Sequence, residues 1–355
     1  MDTNISYSYR EQLKAPLQVA LDITNKCNLR CLHCFNSSGE NQVIDTEMTD
    51  DEVLSFIDTL VPMQLYNICF CGGEPLMRKE LLLKCIKKLS VNNSTISMVT
   101  NGILATPELL DSIITTGLRN LQFSLDGATC KSHDRLRNHK GAFEHVIKAI
   151  KTASGYDNIQ LSIAFTPTSF NIDEFPLVYD LLHEIQENSK LQRRIRLRVQ
   201  PLMPLGRAEK NILEILPTAE QYRKLIYEIR KRRDSDLDIE WGDPVDHLIR
   251  FTHRKLSVNM CSVRANGDIT VTPYIPLIVG NIKRHSLQEY WDVGLNTIWD
   301  RKIVQALASE IKSIPDMKRI FEKYPYIYSG QEIELDLFTD DLDDVSILDR
   351  YMTSK

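Results

Sequence analysis

Three of the chain's eight cysteines, Cys27, Cys31 and Cys34, fall within eight positions in the spacing C-x3-C-x2-C. In a chain of 355 residues, eight cysteines are too few for a disulfide scaffold, and clustering on one short loop points to a metal in a reducing compartment. A structural zinc site wants four closed ligands, and His33, wedged between Cys31 and Cys34, is poorly placed to complete one. An iron–sulfur cube normally takes four protein ligands, so a three-cysteine loop leaves one iron open to bind a reactant. The spacing therefore favours one [4Fe–4S] cluster with an open coordination position over a zinc knuckle.

A loop of this kind needs rigid elements to hold it. Apolar, β-branched runs alternate six times with helix-period segments between about Leu17 and Leu202, giving strands over Leu17 to Thr24, Asn67 to Cys71, Thr95 to Thr100, Asn120 to Leu125, Ile159 to Thr166 and Ile195 to Pro201. Helix boundaries are also marked: Thr49 and Glu52 form a capping box, and Pro107 opens a helix that Gly117 closes. Near-continuous apolar strands separated by helices mean a parallel sheet covered on its faces. The fold expected is α/β, a partial (β/α)6 barrel of TIM type with a small C-terminal α+β extension. In such barrels reactive groups gather at the C-terminal ends of the strands, where loops vary without disturbing the core. The unusual residues obey that rule. The cysteine loop follows strand one, Gly72-Gly73-Glu74-Pro75 strand two, Thr100-Asn101-Gly102 strand three, Ser124-Leu125-Asp126-Gly127 strand four, Thr166-Pro167 strand five and Gln200-Pro201 strand six.

Cys27-Asn28-Leu29-Arg30-Cys31-Leu32-His33-Cys34, followed by the glycine-bearing strand ends, resembles the signature of the radical S-adenosylmethionine (radical SAM) enzymes over about two thirds of the chain. The resemblance implies that Cys27, Cys31 and Cys34 hold the cluster and that His33 takes the place of an aromatic residue near the adenine. It also implies that Gly72, Gly73, Glu74 and Pro75 lie against the SAM amino group, and that Thr100, Asn101, Ser124 and Asp126 contact the ribose and methionine carboxylate. Arg137 resembles the arginine that neutralises this carboxylate, its bland alternative being a surface salt bridge. Ile163 and Gln200 are candidates for adenine and substrate contacts. The implied chemistry is reductive cleavage of SAM to methionine and a 5′-deoxyadenosyl radical that abstracts hydrogen from a C–H bond, with an external donor of flavodoxin or ferredoxin type.

Beyond about Pro217 come a charged helix, an irregular stretch around Trp241-Gly242-Asp243-Pro244, a hairpin turning at Asn266-Gly267 with a type I′ signal, and a helix from about Ser286 past Trp291. Asn266-Gly267-Asp268, Pro273, Gly280-Asn281-Ile282 and Ser286-Leu287 to Tyr290-Trp291 resemble the SPASM or twitch extension of peptide-modifying radical SAM enzymes. Tyr274 stands where that extension carries a cysteine, and no cysteine follows Cys261, so cysteine ligands for an auxiliary cluster are missing there. Cys261 is either a hydrogen donor to a substrate radical, as in similar epimerases, or a strand cysteine packing like a small hydrophobe. The expected organisation is an N-terminal segment over 1–15, the barrel over 16–235, the extension over 236–300 and a helical acidic tail over 301–355.

The 43% hydrophobic content suits a globular chain, and a net charge of −5 supplies no field for nucleic acid. Arg193, Arg194, Arg196 and Arg198, Arg230 to Arg233, and acidic Glu332 to Asp349 read as solvated faces. No run approaches the roughly 18 apolar residues of a membrane span, and a cytoplasmic enzyme without membrane or nucleic-acid partners is expected. Its substrate is a peptide, ending crosslinked, epimerised or oxidised, or else a small molecule such as a sugar or tetrapyrrole precursor handled by a dehydrogenase or epimerase. A redox-sensing iron–sulfur or zinc module is the non-catalytic alternative.

Overall fold

The computed structural model describes residues 12–92, 94–232, 236–253, 256–325 and 328–352. Most of the expected N-terminal segment, and Arg233 of the basic helix end, lie outside them. Eleven strands occur among the described residues: β1 (Gln18–Thr24), β2 (Asn67–Gly72), β3 (Thr95–Thr100), β4 (Asn120–Ser124), β5 (Gln160–Phe165), β6 (Arg196–Val199), β7 (Asp238–Trp241), β8 (Met260–Val263), β9 (Asp268–Thr270), β10 (Leu277–Asn281) and β11 (Ile333–Glu334). They form one sheet in the order β11-β10-β9-β8-β1-β2-β3-β4-β5-β6-β7. From β1 to β7 every pairing is parallel, and β8 runs parallel to β1 on the other side. β7 and β8 end this run without pairing to each other, so the barrel is partial and open.

The six strands expected from sequence are β1 to β6. Helices Asp50–Leu60, Lys79–Leu89, Pro107–Thr116, Ala142–Ala153 and Phe175–Glu187 link them. The first starts on the Thr49–Glu52 capping box, and the third has Thr106 as N-cap, Pro107 in its first turn and Gly117 as C-cap. β7 was not marked by the sequence, where its short charged run reads as irregular; it is held by pairing to β6 and by Glu240, which bridges Arg196 and Arg198 at 2.9 and 3.3 Å. Those two arginines are therefore paired across strands rather than simply solvated.

The two faces of the sheet differ. Val19, Leu21, Ile68, Phe70, Met98, Phe123, Leu161 and Ile163 join the helices in the main apolar core. On the inner face Ser97 Oγ donates to Asn67 Oδ1 at 2.6 Å, Asn120 Nδ2 to Ser97 Oγ at 3.1 Å, and Arg198 Nη1 to Gln122 Oε1 at 3.0 Å. The barrel interior is thus polar and hydrogen-bonded, where a filled TIM barrel would carry layers of branched apolar side chains.

β8 and β9 make the expected hairpin, but its turn is not type I′, which needs positive φ at both central residues. Gly267 has φ of 95° and its N–H donates to Arg264 O at 2.9 Å, which closes a longer loop with a left-handed glycine at its end. Leu287–Val293 begins on a Ser286–Glu289 capping box. The acidic tail does not simply face solvent. It contributes β11 to the sheet and buries Glu332 against Arg264 at 3.0 Å and Asp336 against Tyr290 Oη at 2.8 Å. No described helix is long and apolar enough to cross a membrane.

Candidate active site

A cavity of about 220 Å³ opens at the C-terminal ends of the barrel strands. Eleven of the residues assigned from sequence to the cluster, SAM or substrate line it: Cys27, Cys31, His33, Cys34, Gly72, Gly73, Thr100, Asn101, Ser124, Arg137 and Gln200. They arrive from β1, β2, β3, β4, the helix Cys130–Arg137 and the end of β6.

Two glycines shape the approach of the β2 loop to the cysteine loop. A Cβ on Gly73 would sit 2.1 Å from Lys26 O, and Gly72 has φ of 107° with Thr24 O at 2.4 Å from where its Cβ would be. Gly73 N–H and Glu74 N–H donate to Thr24 O and Lys26 O at 2.8 and 2.9 Å, which stitches the two loops together. Glu74 does not line the cavity. It is fully buried and accepts from Leu76 N at 3.0 Å, Thr100 Oγ1 at 2.8 Å and Asn101 N at 2.8 Å, so it ties the β2 and β3 loops to each other. Pro75 opens the short helical turn behind it.

Asp126 also stands behind the cavity wall. Its Oδ2 is 2.5 Å from Arg137 Nη2 and 3.6 Å from His33 Nε2, while Oδ1 accepts from Thr166 N at 2.8 Å. Burial works against this carboxylate, yet Arg137, with His33 and His133, holds its pKa below the ordinary value. Arg137 is 8% exposed and its Nη1 lies 3.7 Å from Cys31 Sγ, so the bland expectation of a surface salt bridge is replaced by a buried pair beside the cysteine loop. Burial lowers the pKa of His33 to about 4, against the pull of Asp126, and keeps its imidazole neutral near pH 7.

One expectation, Ile163, is not met, and of the two alternatives for Cys261 the placement favours packing. Ile163 is a core residue on the helix-covered face of β5, and its neighbour Ala164 lines the cavity instead, because adjacent strand residues point to opposite faces. Cys261 pairs in register with Val19, is 2% exposed within the apolar core and does not reach the cavity. That placement suits packing, not hydrogen donation. Sequence reasoning missed Asn36, Gln122, Met203 and Arg207, which also line the cavity. Gln122 was within reach, since it precedes Ser124 by two on the same strand face; Arg207 carries no short-range signal.

Residues 21–182 match the family described as the radical SAM superfamily. That segment is a radical SAM domain. An AdoMet-dependent heme synthase of Methanosarcina barkeri is 26% identical over 301 residues, 78% of this chain and 82% of that protein. The mycofactocin maturase MftC of Mycolicibacterium smegmatis is 26% identical over 305 residues, 82% of this chain and 72% of its own. Among solved structures, Streptococcus suis SuiB bound to S-adenosylmethionine superposes with a TM-score of 0.61 at 15% identity, over 84% of this chain and 69% of that one, a likeness of fold.

A radical SAM domain implies two cofactors, a [4Fe–4S] cluster and SAM. The residues present fit both. Among the described residues no three His, Cys, Asp or Glu side chains are grouped to hold a single metal ion, whereas a cube spreads its three thiolates over three separate irons. Leu29 N–H points at Cys27 Sγ at 3.5 Å and Arg137 at Cys31 Sγ, the kind of donors that stabilise ligating sulfur. Burial pushes the Cys27 thiol up to about 12, so a bound metal must displace its proton. Arg137 Nε and His33 Nδ1 are buried with no hydrogen-bond partner among the described residues, leaving donor capacity in the cavity wall for a polar ligand.

Proposed function

We propose that Cys27, Cys31 and Cys34 ligate the cluster, that Gly72, Gly73, Thr100, Asn101, Ser124 and Arg137 bind SAM, and that the chain starts radical C–H chemistry in peptide maturation. The observation that carries this reading is the convergence of three thiols and six strand-end groups on one cavity. When bound, the reduced cluster and SAM together supply a 5′-deoxyadenosyl radical able to abstract an unactivated hydrogen.

The chain's own residues orient and enclose. Glu74 fixes the β2 and β3 loops relative to each other, and Asn101 Nδ2 donates to Asn28 Oδ1 at 2.9 Å, pinning the β3 loop to the cysteine loop. Arg137, held by Asp126, presents its unpartnered Nε to a carboxylate. A second cavity of about 440 Å³ shares Gln200 with the first and is walled by the ion pairs Arg198–Glu240 and Asp246–Arg250, with Trp241 and Tyr274. We assign the substrate to it. Its polar lining offers partners for a peptide main chain and charged side chains, and a PqqA peptide cyclase of Bradyrhizobium diazoefficiens, 26% identical over 68% of this chain and 62% of its own, supports a peptide. The heme synthase relative supports a second reading, a tetrapyrrole substrate. An acidic one-electron protein of flavodoxin or ferredoxin type would reduce the cluster.

Anaerobic reduction with SAM tests the enzyme reading. Formation of 5′-deoxyadenosine that disappears in Cys31→Ala is expected, and eliminates the redox-sensing alternative; none above the cluster-free background overturns the proposal. A rise in that product with a precursor peptide but not with a tetrapyrrole selects the peptide reading, and the reverse selects the other.

A further inference from the structure

The segment after β6 crosses the barrel mouth and grips the cysteine loop, which follows β1 five strands away in the sheet. Gly206 has φ of 59°, and a Cβ there would lie 2.3 Å from Phe35 O and 2.8 Å from Cys34 O, so only glycine lets the chain come this close. Arg207 N–H then donates to Cys34 O at 2.9 Å. Its guanidinium donates through Nε to Cys31 O at 3.0 Å and through Nη1 to Ser38 O at 3.1 Å and Glu40 Oε2 at 2.7 Å. One turn on, Asn211 Nδ2 donates to Leu32 O at 3.2 Å. Arg207 is 8% exposed and lines the cavity of the three thiols.

We propose that Arg207 is a positioning residue of the cluster loop: it fixes the main chain of Cys31 and Cys34, while Arg137 reaches the Cys31 sulfur. The inference rests on the reading of this loop as the cluster site. Three planar donors in a fixed fork reach three acceptors at once, which a lysine cannot do. Without them the carbonyl of Ser38 loses its donor, and that of Cys31 keeps only the 3.3 Å bond from Cys34 N–H. Its positive charge also lies beside a group that gains negative charge on reduction, favouring the reduced state.

The test follows chelator-driven loss of iron–sulfur absorbance from anaerobically reconstituted full-length protein, with the reduction midpoint of the cluster and thermal unfolding of the metal-free chain measured alongside. Arg207→Ala should lose its cluster about tenfold faster than wild type, within the range of outer-shell substitutions at metal sites. It should also be harder to reduce. Arg207→Lys should lose the cluster faster than wild type while keeping a midpoint closer to it, which separates the grip from the charge. Asn211→Ala, which removes a single bond to the same loop, should accelerate loss by less, and serves if Arg207→Ala does not fold. Loss at the wild-type rate from Arg207→Lys and Asn211→Ala overturns the clamp alone. Wild-type protein that takes up no four-iron cluster overturns the parent reading and the clamp with it.

Discussion

The thiol of Cys261 points away from the cavity because neighbours in a parallel pair project to the same side, and its neighbour is Val19 rather than Ala20 or Asp22. Burial alone pushes this thiol up to about 12, so near neutral pH it packs as a small neutral hydrophobe. Cys261→Ala should therefore cost about 1 kcal/mol in urea denaturation, within the range of small core truncations, and leave SAM cleavage unchanged. A large loss of turnover with unchanged stability would contradict this. The cysteine spacing was legible in the sequence because three thiols crowded into eight positions of a reduced chain have little use except to hold a metal. The side a given residue faces was not, as Ile163 and Ala164 show: both are apolar in an apolar run, and only the pairing register decides which meets the ligand.

At the scale of elements, the β4 loop depends on a histidine that must stay neutral. His133 Nδ1 accepts from Asp126 N at 3.0 Å, so its proton sits on Nε2, and a second proton on Nδ1 would break the bond. Burial, then the charge of Arg137, lowers its pKa from 6.5 to about 4. A histidine depressed in this way contributes stability above the unfolded pKa that is lost as pH falls toward the folded one, because the unfolded chain then binds more protons. Between pH 7 and pH 5 this residue should cost the metal-free protein about 2 kcal/mol. His133→Asn, whose amide oxygen can accept the same N–H, should flatten the pH dependence of the denaturation midpoint, and an unchanged slope would sink the assignment. Strands β1 to β6 were readable because their β-branched runs are bounded by capping residues and glycines. β7 was not: four residues with two acids offer no apolar pattern, and its existence depends on the arginines of β6.

Across the whole molecule, the tail returns to the barrel. Tyr328 Oη donates to Asp22 Oδ2 at 2.8 Å across 306 positions of sequence, with Arg264 4.3 Å over its ring and Phe35, next to Cys34, at its edge. Tyr328 holds φ of 71°, a left-handed conformation uncommon for a bulky side chain and offset by these contacts. Tyr328→Phe should cost about 1 kcal/mol, since it leaves a half-buried carboxyl without its phenol partner. A neutral effect on the denaturation midpoint would mean that the tail is not held through this bond. Nothing local announces the Tyr328 contact or the pairing of Glu332 with Arg264, because a charge pattern cannot say which carboxylates will find buried arginines far away in sequence.

Iron and sulfide analysis of the anaerobically reconstituted chain, read together with the electron paramagnetic resonance spectrum of the reduced protein before and after adding SAM, tests whether Cys27, Cys31 and Cys34 hold a cube with one open iron. About four irons per chain and a spectrum that changes on addition are predicted, since three cysteines leave one iron free to take the ligand. Zinc in place of iron, or a cube whose spectrum is indifferent to SAM, would contradict a three-cysteine cluster that binds SAM.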